Sequence, residues 1–221
     1  MYDIGQYTNA LVAALVQRFG ERLAYVGLQG SYLRGEATKD SDIDIMVVID
    51  ALEVADLDAY RDTVRSVSGG PEPCGFIGGR AELANWNPLE VCHLLHSTKD
   101  YYGTLAELVP GYTREDVRNF AKLSVNNLYH EICHRYIYSA PEKNAAKLTG
   151  VYKQAFFILQ NVHYLRTGVF AQTKQMLLPQ LSGRDRQVLS TAVALQNGAQ
   201  YEYRPLFEQL YAWCQETMVG L

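Results

Sequence analysis

The sequence lacks the composition of several protein classes. Its four cysteines, Cys74, Cys92, Cys133 and Cys214, lie far apart and form no Cys-x-x-Cys pair, so neither a disulfide framework nor a zinc ribbon is indicated. It also lacks a basic excess: the formal net charge is −4, whereas a surface built for nucleic-acid phosphates is normally basic. Long nucleic acids are therefore not expected as partners.

Long apolar runs are missing as well. No run approaches the ~20 residues that a membrane-spanning helix needs, and residues 1–4 show neither the basic nor the apolar segment of a signal peptide. We therefore expect a cytoplasmic protein without a membrane partner, and the sequence is compatible with a homodimer. What is present is a 48% hydrophobic content over 221 residues, enough for one large domain or two modest ones.

The first half of the sequence alternates helical and strand-like patterns. An amphipathic stretch over residues 11–19 predicts a helix that Gly20 ends, and residues 52–67 predict another. Short apolar runs predict strands at residues 23–28, 43–49, 74–77 and 90–96. The expected product is a mixed β-sheet with flanking helices.

The second half favours helix throughout. Thr113, followed three residues later by Asp116, has the spacing of a helix N-terminal cap. The helical patterns cover residues 113–139, 142–165, 183–196 and 205–218. We therefore predict an α+β fold, with a mixed-sheet domain over residues 1–108 and an all-α helical bundle over residues 109–221.

Two aspartates, Asp42 and Asp44, stand at the head of the second predicted strand. Residues at i and i+2 of a strand point to one face, with Cα atoms about 6.6 Å apart, so the two carboxylates can converge. Ile43 and Ile45 would point to the opposite face, into the core. Paired carboxylates suit Mg²⁺, and two such ions can activate an attacking oxygen and stabilise leaving pyrophosphate. The pair therefore indicates phosphoryl chemistry with two magnesium ions.

A glycine turn precedes the aspartates. Gly30 lets backbone N–H groups approach a phosphate, and Ser31 adds a hydroxyl at the start of a short predicted helix. Arg34 can supply a positive charge nearby. The alternative for Arg34 is a surface ion pair with Glu36 or Asp40.

These residues together resemble a known signature. Gly30-Ser31, Arg34-Gly35 and the Ser-Asp-Ile-Asp of residues 41–44 look like the motif of the DNA polymerase β-like nucleotidyltransferases. A mixed-sheet domain followed by a helical domain is similar, over most of the length, to the aminoglycoside nucleotidyltransferases. The resemblance implies transfer of a nucleoside monophosphate, AMP from ATP, to a hydroxyl group with release of pyrophosphate.

The resemblance also implies further site residues. Besides Gly30, Ser31 and Arg34, it assigns Ser41 to the nucleotide. It implies a third carboxylate on a later strand, for which Glu90 is the first choice and Glu82 the second. Whether Glu90 would act as metal ligand or as base stays open, and the alternative for it is a solvent-facing strand end.

A lysine from the helical domain is implied on the triphosphate. Lys153 is preferred to Lys147 for this contact, and the alternative for Lys153 is a solvated helix face.

A second motif offers a different chemistry. The stretch from His130 through Glu131 to His134 matches the His-Glu-x-x-His pattern of zinc hydrolases, in which two histidines on one helix face bind zinc and the glutamate acts as base. No third ligand follows at short spacing, and His163 lies in the next predicted helix. A zinc hydrolase is therefore the weaker alternative. A role for His130 and His134 in acceptor binding is a further hypothesis.

The acceptor itself is not indicated by any residue. A small hydroxylated molecule and a protein side chain both fit the resemblance. A catalytically idle module, kept for nucleotide binding or for docking a partner, is the alternative from another class, and the intact Asp42 and Asp44 pair argues against it.

Overall fold

The computed structural model describes residues 3–39, 41–67 and 73–221. They form two compact units, the first ending at Tyr112 and the second beginning at Thr113. A four-stranded mixed sheet with flanking helices is followed by helices alone, so the predicted α+β fold is confirmed.

The first unit contains all four strands. Its elements are α1 (Ile4–Phe19), β1 (Leu23–Leu28), α2 (Gly30–Arg34), β2 (Ile43–Ile49), α3 (Val54–Ser66), β3 (Pro73–Gly79), α4 (Arg80–Ala84), α5 (Pro88–His96) and β4 (Lys99–Tyr102). The strand order is β3-β2-β1-β4; β1 pairs antiparallel with β2 and β4, and β2 pairs in parallel with β3. The strand β2 thus lies inside the sheet.

The two faces of this sheet have different neighbours. On the aliphatic face, which we define by Ile43, Ile45, Val47 and Ile49 of β2, all four side chains are fully buried and pack with residues of α1 and α3. On the site face, defined by Asp44, Met46 and Val48, the last two side chains pack with Tyr25, Leu83 and Leu105. The alternation of β2 therefore closes one face completely and leaves Asp44 at the end of the other.

Local signals explain the ends of α1. The helix begins earlier than predicted, because the Asp3 side chain accepts a hydrogen bond from the Gln6 N–H at 3.0 Å and caps the first turn. It ends where predicted, at Gly20, whose φ of 56° suits a glycine.

The strand predicted over residues 90–96 is wrong. These residues belong to the helix α5, and Glu90 lies in its first turn. Asn87 decides the outcome, since its side chain accepts a hydrogen bond from the Leu89 N–H at 3.1 Å, and Pro88 occupies the first helical position. A short apolar run cannot by itself distinguish a strand from a buried helix. The place beside β1 is taken instead by β4, which the sequence did not predict.

The second unit is helical. Its elements are α6 (Arg114–Tyr138), α7 (Pro141–Ala145), α8 (Leu148–Thr167), α9 (Lys174–Leu177), α10 (Gly183–Gln196) and α11 (Tyr203–Gly220). The Thr113 cap is confirmed, because Thr113 and Asp116 exchange both hydrogen bonds of a capping box. The single helix predicted over residues 142–165 is divided, since α7 ends before α8 begins; the Asn144 amide in α7 donates to carbonyl groups at the end of α6.

Within this unit, α8 packs against α6 and α10, and α11 packs against α6. No helix in the described part of the chain is both long enough and apolar enough to cross a membrane.

Candidate active site

The paired aspartates lie where β2 begins. Asp42 immediately precedes the strand and is exposed, while Asp44 is its second residue and is half-buried. Ile43 and Ile45 are fully buried on the opposite face, as the alternation predicted. Asp44 therefore lies on the site face of a strand whose other face is buried in a core, and Asp42 lies exposed just before that strand.

Gly30 brings the backbone directly against the Asp44 carboxylate. A Cβ atom added to Gly30 would overlap Oδ2 of Asp44, and the Gly30 φ of 68° is itself one that side chains rarely adopt. Next to it, the Gln29 N–H donates a hydrogen bond of 2.8 Å to the Asp44 carbonyl. Only glycine fits here, and the turn into α2 is held beside Asp44.

The turn between α2 and β2 is held by its own hydrogen bonds. Gly35, with a φ of 67°, ends α2, and the Glu36 N–H returns to the Ser31 carbonyl at 2.9 Å. The Ser41 hydroxyl accepts a hydrogen bond of 2.9 Å from the Thr38 N–H. Ser41 thus stabilises this turn, and its role in nucleotide binding stays a prediction, as does that of Ser31.

Arg34 pairs with Glu36, one of the two partners that its alternative named, but the pair is buried and not at the surface; the other partner, Asp40, lies outside the described residues. The Arg34 Nε lies 3.2 Å from Oε2 of Glu36, and the two side chains are only 12% and 7% exposed. Burial, and then the positive charge of nearby Arg34, lower the pKa of His93 to about 4, so this histidine of α5 is neutral at pH 7. A contact of Arg34 with nucleotide stays a prediction.

The candidates for a third carboxylate are not gathered with the pair. Glu90 is exposed on α5 and Glu82 is exposed on α4. Over residues 3–39, 41–67 and 73–221, no three His, Cys, Asp or Glu side chains form a group that could hold a metal ion. In the register of the parallel pair, the β3 residue beside Asp44 is Cys74. The role of Glu90 as ligand or base stays a prediction.

Sequence reasoning missed a polar row on the site face. The Gln29 Nε2 atom donates to Thr98 Oγ1 at 2.7 Å and lies 3.7 Å from the Met46 sulfur. The buried Tyr25 hydroxyl donates to the Asp100 carboxylate at 2.6 Å, and burial, followed by this hydrogen bond, raises the pKa of Tyr25 above its ordinary value. Thr98 immediately precedes β4, and Asp100 lies on it. A prediction of the strand β4 from the sequence would therefore have placed both residues beside β1.

Lys153 belongs to the second unit. It is exposed on α8, and Lys147 is exposed just before the same helix. The assignment of Lys153 to the triphosphate stays a prediction.

The histidine motif is not arranged as a hydrolase centre. His130 and His134 are exposed on α6 with ring centroids 6.0 Å apart, but Glu131 accepts hydrogen bonds from Arg135 at 2.8 Å and Gln154 at 3.0 Å. Burial opposes ionisation of Glu131, yet these two hydrogen bonds outweigh it and lower the pKa of the carboxyl, which makes it a poor base.

A third zinc ligand is likewise missing from this arrangement. His163 is buried on α8, where its Nε2 lies 3.0 Å from the Gln180 amide oxygen. It forms no metal-binding group with His130 and His134, and the described residues contain no other such group. The zinc hydrolase interpretation has no support from this geometry.

Part of the first unit matches a known protein family. Residues 9–68 match the family model described as a nucleotidyltransferase domain. No curated protein matches the chain. The matched residues include Gly30, Ser31, Arg34 and both aspartates. The resemblance to the polymerase β-like nucleotidyltransferases is thereby confirmed.

Solved structures with a similar fold include the spectinomycin adenyltransferase of Enterococcus faecialis, determined with ATP and spectinomycin. It is 15% identical, with a TM-score of 0.60, and the alignment covers 97% of this chain and 99% of that chain. At this identity the likeness shows the fold alone. It extends over almost the full length of both proteins.

Two other solved structures are much more distant. A toxin–antitoxin with AMP-PNP has a TM-score of 0.33 at 19% identity, covering 59% of this chain and 93% of that one. The CdnE cyclic dinucleotide synthase of Elizabethkingia meningoseptica, with GTP and Apcpp, has a TM-score of 0.31 at 16% identity, covering 98% and 91%. Neither adds to the assignment.

Proposed function

We propose that the chain, whose residues 9–68 match the model of a nucleotidyltransferase domain, transfers AMP from ATP to a hydroxyl group of an acceptor. The observation that carries this proposal is the Asp42 and Asp44 pair at the open end of β2, with the Gly30 backbone directly against Asp44. ATP is the proposed donor because the spectinomycin adenyltransferase of similar fold was determined with ATP.

Asp42 and Asp44 would hold Mg²⁺. Both offer hard oxygen ligands, and the Gly30 backbone, which would contact the phosphates, lies directly against the Asp44 carboxylate. Magnesium is usually bound by one or two carboxylates together with substrate phosphates and water, so the pair suffices without a third acid. Two bound ions would neutralise charge on the phosphates and on the leaving pyrophosphate.

The chain's own residues would do the positioning. The backbone at Gly30 and the Ser31 hydroxyl would contact the phosphates, and Lys153 from the second unit would contact the triphosphate. The acceptor oxygen forms its bond to the α-phosphorus while the bond to the pyrophosphate oxygen breaks, and Glu90 is the proposed third acid, as metal ligand or as recipient of the acceptor proton. Rate enhancement would come mainly from position and charge.

The acceptor is proposed to be a small hydroxylated molecule, because the similar structure that was determined with spectinomycin aligns over 97% of this chain. A protein side chain is the alternative acceptor. A screen with both kinds of acceptor that reads pyrophosphate release would distinguish them.

The first test is calorimetric titration of ATP and of GTP, each with Mg²⁺, into the wild type and into the Asp42→Asn, Asp44→Asn double variant. We expect the wild type to bind ATP in a magnesium-dependent manner and the double variant to lose this binding while its melting temperature stays the same. A matched control is Asp58→Asn, Asp62→Asn on α3, which removes two carboxylates that are 63% and 73% exposed. This control should bind ATP like the wild type.

The titration also tests the alternatives. Absence of binding in the wild type would contradict the proposal, and so would equal binding by the wild type and the double variant. Magnesium-dependent binding without pyrophosphate release for any acceptor would favour the idle nucleotide-binding module.

A further inference from the structure

We propose that the side-chain oxygen of Gln29 accepts a hydrogen bond from a water molecule bound to the metal at Asp44, and so helps to fix the metal on the protein. This inference rests on the proposed function, because it needs a cation on the aspartates. It assigns a role to a side chain that the aspartate motif does not include.

Gln29 lies directly across the sheet from Asp44. The last registered pair of β1 and β2 is Leu28 with Ile45, so the next pair is Gln29 with Asp44, and the hydrogen bond from the Gln29 N–H to the Asp44 carbonyl joins them. The contact of the Gln29 amide with the Met46 sulfur shows that its side chain is on the site face. Residues directly opposite have Cβ atoms about 4.5–5.5 Å apart, so the amide and the carboxylate border the same space.

The hydrogen bonds around Thr98 fix which atom of the Gln29 amide is bonded to Thr98 and which is left to accept a hydrogen bond. A threonine hydroxyl has one hydrogen to donate, and Thr98 donates it to the Leu94 carbonyl at 2.7 Å. Thr98 Oγ1 must therefore accept from Gln29, which places Nε2 of Gln29 on Thr98. The Oε1 atom, an acceptor only, is left on the other side of the amide. No residue in the ranges 3–39, 41–67 and 73–221 donates a hydrogen bond to it.

The Thr98 side chain cannot easily move away. Its methyl group packs so closely over Gly27 that a Cβ atom at Gly27 would come within 2.7 Å of it. Gly27 thus leaves just enough room for Thr98 to reach Gln29. A fixed partner holds the Gln29 amide in one orientation.

The chemistry of the exposed atom suits water on a metal ion. A cation on Asp44 would keep water in part of its coordination shell, about 2.0–2.1 Å from the ion, and such water is a strong hydrogen-bond donor. A neutral amide oxygen across the strand is a matching acceptor. Partners of this kind orient the metal complex, and their loss typically weakens metal binding about 10–100-fold.

The test measures metal binding and needs no acceptor. Mn²⁺ replaces Mg²⁺, and its free concentration is followed by electron paramagnetic resonance in the presence of saturating ATP. We expect Gln29→Met, which has no amide oxygen, to raise the dissociation constant of Mn²⁺ about tenfold. Thr98→Val, which frees the amide to rotate but retains its oxygen, should raise it less, and Gln29→Glu, which retains an acceptor, should not raise it.

These variants separate the proposed contact from a structural role. Gln29→Met, Gln29→Glu and Thr98→Val all break the hydrogen bond between Gln29 and Thr98, so a merely structural role predicts that all three weaken metal binding alike. Equal weakening by Gln29→Met and Thr98→Val would overturn the proposal, as would an unchanged affinity of Gln29→Met or a weaker affinity of Gln29→Glu.

The wild type and the Asp42→Asn, Asp44→Asn variant are measured alongside. Failure of the wild type to bind Mn²⁺ with ATP, or equal binding by the aspartate variant, would overturn the proposed function and this inference together. If the aspartate variant alone loses binding and Gln29→Met does not, only the inference on Gln29 fails.

Discussion

The two faces of the central sheet use neighbouring residues of the same strand for opposite purposes. The aliphatic face of β2 has four fully buried side chains that pack with two helices. On the site face, the chain has apolar residues in the middle of the sheet and Asp44, Gln29 and Thr98 in one polar row at its end. Along β2, the residues that stabilise the core and the residues that border the candidate site therefore lie on opposite faces, because side chains alternate with a period of two residues.

This separation teaches where substitutions can be tolerated. A carboxylate at the rim of the site face does not have to be removed from water to keep the fold, whereas each side chain of the aliphatic face contributes through burial. Substitutions at the polar end of the site face are expected to reduce function without reducing stability. Substitutions on the aliphatic face are expected to reduce stability without reducing the ATP affinity of the folded protein.

The largest effect is expected where the turn meets the site face. Gly30→Ala should lower turnover, or magnesium-dependent ATP affinity, at least about 100-fold, because the new methyl group would displace the Asp44 carboxylate. The matched control is Gly35→Ala at the other end of α2, which has a similar φ of 67° but open space around it. Titration and urea unfolding of both variants separate the two effects.

Both alanines carry the cost of a left-handed backbone, about 1–2 kcal/mol, so both should lose some stability. Only Gly30→Ala should lose ATP binding while still folded. Equal ATP affinity of the two variants would show that the close contact between Gly30 and Asp44 does not affect ATP binding.

The next effect belongs to the aliphatic face. Leu11→Ala removes a fully buried side chain of α1, and we expect the free energy of unfolding in urea to fall by about 2–5 kcal/mol. Val16→Ala on the same helix is the control, since Val16 is 38% exposed and should cost about 0.5 kcal/mol or less. Under conditions where Leu11→Ala remains folded, its ATP affinity should equal that of the wild type. A large loss of affinity would contradict the expectation that residues packed on the aliphatic face affect stability and not ATP binding.

The smallest effect concerns pH. In the unfolded chain His93 has the ordinary histidine pKa of 6.5, whereas burial and Arg34 lower it to about 4 in the folded protein. The unfolded chain therefore binds the proton first, so the contribution of His93 to stability is present above pH 6.5 and is lost as the pH falls toward 4. Because the residue is partly exposed, we expect a loss of about 1–2 kcal/mol.

Urea unfolding at several pH values measures this loss. His93→Gln should flatten the profile between pH 6.5 and 4, whereas His134→Gln, at an exposed position, should retain the slope of the wild type. An unchanged slope in His93→Gln would show that another group causes the acid sensitivity.

The sequence predicted the parts of the site that are close together along the chain. The Gly-Ser turn into a short helix and the alternation that buries Ile43 and Ile45 were confirmed as local structure. The cap at Thr113 was also confirmed. Each of these depends on residues within one strand or one turn, where period and turn chemistry are decisive.

What the sequence did not predict depends on distant contacts. Thr98 lies 69 positions from Gln29, and Glu131 lies 23 positions from Gln154, so neither partner has a local signal. The error at residues 90–96 has a different origin: the apolar run was weighed above the local helix-start signals of Asn87 and Pro88, and its residues Val91 and Cys92 are buried in a helix as completely as they would be in a strand. Arg34 was ambiguous until Glu36 was seen buried beside it.

The strand order has a mechanical consequence for Asp44. Because β2 lies between β1 and β3, a shift of the strand would have to break the hydrogen-bond ladders on both of its edges at once. The amide hydrogens of β2 should accordingly exchange with solvent only through the largest openings of the first unit. Any movement of the first unit that admits or releases a ligand at Asp44 is then expected in the turns and not in the backbone of β2.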